Sequence, residues 1–144
     1  MNVQIKRLSD TAFLPRYGSP EAAGADLYVP AGEQYEISPG RTAMIPTGLS
    51  LSIPEGYAGF VYARSGLGVK CGLAPANKVG VIDSDYRGEV MVALHNHSSE
   101  AQTVKGGERI AQLVIAPVAR AVFEETDELD ATERQTGGFG STGR

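Results

Sequence analysis

Glycine and proline interrupt this chain too often for it to build long helices. Its 144 residues include 18 Gly and 8 Pro, gathered at Pro15 to Pro20, Pro30, Gly40, Pro46, Pro54-Glu55-Gly56 and Gly106-Gly107. In a helix interior a glycine costs about 1 kcal/mol and a proline about 3 kcal/mol relative to alanine, so the segments between breaks read as strands. Residues 2–8 alternate Val3 and Ile5 with Gln4 and Lys6, and Ala23 to Val29 form a small-residue run closed by Pro30. Segments 33–37, 41–53, 57–63, 88–96, 101–104 and 109–122 follow. Many short strands at close spacing predict an all-β sandwich or jelly-roll barrel. No repeat or linker divides the chain.

One stretch reads as a short helix. Ser65 is placed to cap a segment through Leu67, Val69 and Cys71, with Gly72 as a left-handed terminator. Arg64 and Ser65 would then lie where free amides favour an anion; the alternative is a turn before a structural helix.

Charge and cysteine content narrow the function classes. With 13 basic and 17 acidic residues the net charge is −4, and no basic block stands out, which argues against a nucleic-acid polymer as partner. A small phosphorylated ligand stays open. The single Cys71 excludes an intramolecular disulfide and fits a reducing compartment. No apolar run reaches a membrane span and no signal-peptide core begins the chain, so a soluble, cytoplasmic protein is expected. Asn96-His97-Ser98 matches a glycosylation acceptor only by chance in that setting.

The richest stretch is Asn77-Lys78-Val79-Gly80-Val81-Ile82-Asp83-Ser84-Asp85-Tyr86-Arg87-Gly88. Its alternation suggests a buried strand running out into a polar turn. A carboxylate on a strand end beside a ring is suited to general-base work, and ordinary Asp-Ser-Asp turn chemistry is the competing reading. The C-terminal Glu133 to Arg144 has one large apolar side chain, Phe139, and cannot order itself. It is either a frayed end or a lid, with arginines for phosphate and a ring to stack on a base. The acidic run 124–130 reads as a solvated connector.

Other patterns are set aside. Gly138-Phe139-Gly140-Ser141-Thr142-Gly143 matches the dinucleotide fingerprint but leaves no room for its helix. His95 and His97 share one face of a strand, yet without further ligands nearby they read as solvated residues rather than a zinc site. No Walker loop, zinc-deaminase signature or nucleophile elbow occurs.

Five segments together, in this order, resemble the motifs of the trimeric deoxyuridine triphosphatases: Ala23-Gly24-Ala25-Asp26-Leu27, Arg64-Ser65-Gly66-Leu67, Gly80 to Gly88, Gly107-Glu108-Arg109-Ile110-Ala111-Gln112, and Arg134 with Gly137 to Gly143. The resemblance implies a jelly-roll-like β subunit over residues 1–133 and a flexible arm, 134–144, that closes over the site. It implies a homotrimer with sites shared between chains. The reaction would be magnesium-dependent hydrolysis of dUTP to dUMP and diphosphate by water attack on the α-phosphate, keeping uracil out of DNA and supplying dUMP. By motif position, Asp83 would be the base, tuned by partial burial and by Asp85. Tyr86 would pack under the deoxyribose, and Asn77 would read the uracil edge. Arg64, Ser65, Gly66 and Gln112 would hold phosphate oxygens, and Asp26 would reach magnesium through water. From the arm, Arg134 would approach the γ-phosphate, Phe139 would stack on uracil, and Gly140, Ser141 and Thr142 would add contacts.

Two positions depart from the family pattern: Ala63 stands where proline usually precedes Arg-Ser, and Gln135 where glycine usually follows the arginine. Two other functions compete, a dCTP deaminase of the same fold and a nucleotide-sensing module acting on a protein partner.

Overall fold

A computed structural model describes residues 1–138 and is mostly β. In chain order it holds β1 (Gln4–Arg7), β2 (Arg16–Tyr17), β3 (Ala25–Tyr28), β4 (Gln34–Ile37), β5 (Thr42–Ser52), β6 (Tyr57–Tyr62), α1 (Ser65–Cys71), β7 (Leu73–Pro75), β8 (Gly80–Ile82), β9 (Glu89–Asn96), β10 (Gln102–Lys105) and β11 (Arg109–Pro117). The strands form a four-stranded sheet ordered β1-β5-β9-β7, a five-stranded sheet ordered β2-β3-β11-β6-β8, and the pair β10-β4. All pairings are antiparallel. The sheets stay open, giving the sandwich form of a jelly roll rather than a closed barrel among the described residues.

Period-two patterning builds the core. Along β9, Val90, Val92, Leu94 and Asn96 are buried while the residues between them turn outward. Val90, Val92 and Leu94 join Ile45 and Leu51 of β5, Leu27 of β3, Val61 of β6 and Leu113 of β11 in one cluster, to which Ile37 and Val104 of the small sheet belong. Asn96, fully buried, is satisfied on all sides: Nδ2 donates to the Ile37 and Glu100 carbonyls, and Oδ1 accepts from the Ser98 amide and hydroxyl. A side chain held in that way is closed to glycosylation.

Several boundaries differ from the sequence expectation. The strand expected over 109–122 stops at Pro117, and residues 118–138 form no helix or strand. The short β2 and β7 are additional. Gly72 does end α1 at φ 67, but the N-cap position is Arg64 and makes no side-chain cap bond, so Ser65 is the first helical residue instead of the cap. Among the described residues no helix is long and apolar enough to cross a membrane.

Candidate active site

Asp26 is the centre of a charged row across the larger sheet. In register, Arg16 of β2 faces Asp26 of β3, Asp26 faces Gln112 of β11, and Gln112 faces Tyr62 of β6. Directly opposed residues project from the same face, so all four side chains share it. Asp26 is only 7% exposed. Its Oδ1 accepts from Arg64 Nε at 2.7 Å and its Oδ2 from Arg109 Nη1 at 3.4 Å. A buried carboxylate is tolerated when it is paired in this way. Two guanidiniums on one carboxylate leave a net positive corner, and the planar fork of arginine matches phosphate oxygens. An open cavity of about 430 Å³ lies there, lined by Arg64, Gly66, Leu67, Gly107 and Arg109. Ser65 and Gly66 are exposed beside it.

Arg109 is a residue that sequence reasoning missed as a partner of Asp26. Strict alternation would put residues 109 and 112 on opposite faces of β11. The strand bulges between Arg109 and Ala111, so Arg109 pairs with Tyr28 and Gln112 with Asp26. Positions 28 and 26 share a face, hence so do 109 and 112, while Ile110 and Ala111 are both fully buried. Two consecutive buried apolar residues between polar ones were the available signal.

The second cluster is built on β8. Its cavity, about 320 Å³, is lined by Asn77, Gly80, Asp83 and Tyr86 with Met44 and Met91. Lys78 turns the chain into β8 at φ 65, with Val79 N donating to the Asn77 carbonyl at 2.7 Å. A Cβ on Gly80 would stand 3.2 Å from Asn77 Nδ2, so the missing side chain gives the amide its place. Beyond β8 the predicted turn forms: Tyr86 N donates to the Asp83 carbonyl at 3.2 Å, and Arg87 Nη1 donates to the Ser84 carbonyl at 2.6 Å. Two expectations need correction. β8 is a surface edge strand, with Val81 61% exposed, and Asp83 is exposed rather than partly buried within one chain. As the outermost strand of its sheet, β8 is covered on one edge only. Asp83 also borders a wider cavity of about 780 Å³ shared with Asp85, Arg87 and Arg120.

The two clusters do not meet in one chain. Ile82 faces Gly59, which puts Asp83 level with Ala58, while Arg64 lies beyond Tyr62 at the other end of β6. Four residues of strand separate those levels, about 13 Å at ~3.3 Å per residue.

On the arm, Arg134 is exposed and donates through Nε to its own segment's Gly137 carbonyl at 2.7 Å. Gln135 takes φ 46, a left-handed backbone that favours the glycine usual there. Phe139, Gly140, Ser141 and Thr142 lie outside the described residues. His95 and His97 stack edge to face with ring centroids 4.4 Å apart, and Thr42 Oγ1 bonds His95 Nδ1 at 2.9 Å. Among the described residues no group of three or more His, Cys, Asp or Glu could hold a metal. Away from both clusters, burial raises the Tyr35 hydroxyl to about 12, helped by its hydrogen bond to the Glu33 carboxylate and by the charges of Glu33 and Glu89.

Comparison with known proteins gives a consistent result. The dUTPase family model matches residues 10–143. A deoxyuridine 5'-triphosphate nucleotidohydrolase of Syntrophotalea carbinolica is 50% identical over 143 residues, covering 99% of this chain and 97% of that protein. Among solved structures, a variant of the Staphylococcus bacteriophage 80alpha dUTPase with dUpNHpp has a TM-score of 0.91 at 29% identity, over 99% of both chains. A variant of the dUTPase from phage phi11 of S. aureus, described as revealing the coordination of a structural Mg(II) ion, has a TM-score of 0.79 at 26% identity over 89% of this chain and 98% of that one.

Proposed function

This chain belongs to the dUTPase family, and on that premise we propose how its residues carry out the reaction. The activity is hydrolysis of dUTP to dUMP and diphosphate. The β8 cavity is the nucleoside site. Asn77 and the bare backbone at Gly80 read the uracil edge, and Tyr86 lies under the deoxyribose where it leaves no room or partner for a 2′-hydroxyl. The Asp26 corner is the phosphate site, where Arg64 and Arg109 with Ser65, Gly66 and Gln112 take up phosphate oxygens. Asp83 orients the attacking water and accepts its proton. The arm 134–144 closes on the bound nucleotide, bringing Arg134 to the γ-phosphate, Phe139 to the uracil ring, and Gly140, Ser141 and Thr142 to phosphate oxygens. Catalysis then rests on positioning and on charge stabilisation.

Magnesium fits this donor set. A hard cation of that kind keeps several waters and is usually held by one or two carboxylates plus substrate phosphates rather than by a cage of protein ligands. Asp26 has lone pairs beyond those given to the two arginines and would hold the ion through water. Bound magnesium would supply neutralisation of the triphosphate charge, which otherwise meets Asp26, Asp83 and Asp85 at a cost of a few kcal/mol per close pair.

The observation that carries this reading is the separation of the two clusters. Asp83 and the arginine corner are about 13 Å apart along the sheet, too far to act on one α-phosphate within a chain. A homotrimer with each site assembled from different chains brings them together. Residues 118–133 support it, running out from Pro117 without a strand or helix and holding Val122 and Phe123 at 93% and 96% exposure. Apolar side chains so placed suit a neighbouring copy. With one free cysteine, the enzyme is suited to the cytoplasm.

The test is diphosphate release from dUTP, UTP, dTTP and dCTP with magnesium, with products identified. Turnover confined to dUTP, giving dUMP, is expected. Ammonia from dCTP would indicate the deaminase instead, and tight dUTP binding without turnover would indicate a sensing module.

A further inference from the structure

How the Tyr86 ring is held can be read from the residues that follow it. Its Oη donates to the Glu89 carbonyl at 3.1 Å, so the side chain spans its own turn and lies across Gly88. A Cβ on Gly88 would stand 2.5 Å from Tyr86 Cζ and 2.9 Å from Cε2, and closer still to the hydroxyl. The ring therefore fills the volume that a side chain at 88 would need. A left-handed backbone is not the reason for glycine here, because Gly88 is not among the positive-φ residues.

The backbone beneath the ring is fastened on both sides. Glu89 Oε1 accepts from Gly48 N, Ser50 Oγ donates to the Arg87 carbonyl and Thr47 Oγ1 donates to the Val90 carbonyl, each at 2.7 Å. These partners form the irregular stretch of β5 where its register with β9 shifts between Pro46 and Ser50. That stretch is itself locked: Gly48 sits at φ 70, and a Cβ there would come 2.7 Å from Ala12 Cβ. With residues 87, 89 and 90 tied down, a methyl group at 88 must move the ring and not the chain. Gly24 beside Gln112 and Gly80 beside Asn77 show the same juxtaposition, but at 2.9 Å and 3.2 Å to the nearest atom, the end of a flexible side chain. The Gly88 contact is with a rigid ring.

We propose that Gly88 is the positioning residue for Tyr86 and through it sets how sharply the site refuses a ribonucleotide. The inference rests on the role given to Tyr86 above. Its test is kcat/KM for dUTP and UTP in the parent, Gly88→Ala, Tyr86→Ala and the double variant, with melting temperatures alongside. Gly88→Ala is expected to lose about tenfold or more of the dUTP preference while melting close to the parent. The double variant should be no less selective than Tyr86→Ala, since the three atoms nearest to a methyl group at 88 all belong to that ring. If Tyr86→Ala keeps the parental preference, the role of Tyr86 itself falls. If Tyr86→Ala loses it and Gly88→Ala does not, or if the two losses add, the inference about Gly88 alone is overturned. Should Gly88→Ala fail to fold, normal folding of the double variant supports the ring as the obstacle, and failure of both overturns it.

Discussion

Replacing Asp26 by asparagine isolates the charge at the centre of the arginine corner. The amide oxygen can still accept from Arg64 Nε, now at 2.7 Å, but the bond is then assisted by the donor's charge alone. Bonds to charged groups are worth roughly 1.5–3 kcal/mol, and losing one of the two charges moves this contact from the upper to the lower part of that range, a loss of about 1 kcal/mol. The amide nitrogen then faces Arg109, donor against donor. That second contact is longer, 3.4 Å, and the Arg109 side chain is 51% exposed, so solvent screening limits its loss to roughly 0.5 kcal/mol. A neutral amide is also easier to bury, which returns a part of the total. The net expectation for Asp26→Asn is about 1–1.5 kcal/mol. For Asp26→Ala, which leaves Arg64 with no acceptor, it is about 3 kcal/mol, the lower end of the range for breaking a buried pair. Urea unfolding without nucleotide, at one fixed protein concentration, measures both. Most of the loss should persist in high salt, because the Asp26 to Arg64 contact is shielded from solvent. An asparagine variant within about 0.3 kcal/mol of the parent, or an alanine variant no worse than asparagine, would refute the claim that the carboxylate organises the arginines.

Three further outcomes are expected. Asp83→Asn should bind dUTP as the parent does and lose on the order of 10²–10⁴-fold in kcat, the usual worth of a general base; single-turnover kinetics check it, and an active variant removes the role. Tyr35 is raised from 10.0 to about 12, so its neutral form gives stability that is fully present below pH 10 and is lost as the pH rises from about 10 through 12. Absorbance titration should show one of the six tyrosines ionising late, and Glu33→Gln should bring it only part of the way down because burial is the larger cause. Lys78→Gly should raise stability by up to about 1 kcal/mol by relieving the left-handed backbone at φ 65, whereas Lys78→Val should lower it; thermal unfolding decides between them.

The strand content was legible in the sequence because glycine and proline mark most turns and period-two burial runs cleanly through β9. What was hidden came from departures from that period. The bulge in β11 carries Arg109 to the face of Asp26 against the alternation, and the irregular stretch of β5 draws Thr47, Gly48 and Leu49 all inside. The short β8 looked buried because Val79, Val81 and Ile82 are apolar, yet in one chain they form an exposed edge, since sequence hydrophobicity does not distinguish a core from an exposed apolar strand. Ser65 looked like a cap by residue type, but the chain enters α1 one residue earlier and Arg64 turns to Asp26 instead. The residues proposed for the site were recognisable as motifs in order along the sequence. Their division into two clusters became visible only with the register of β6 against β8 and β11.

The central claim is that Asp83 and Arg64 act on one substrate from different chains. It is tested most directly by mixing Asp83→Asn chains with Arg64→Ala chains in equal amounts, through unfolding and joint refolding, and measuring dUTP hydrolysis. Each variant alone should be nearly inactive. In randomly mixed trimers a site takes an intact Asp83 from one chain and an intact Arg64 from its neighbour with a probability of about one quarter, so roughly a quarter of the parental activity should return. Activity no greater than that of the two variants measured apart would mean that each chain works with its own residues, and the shared site would be wrong.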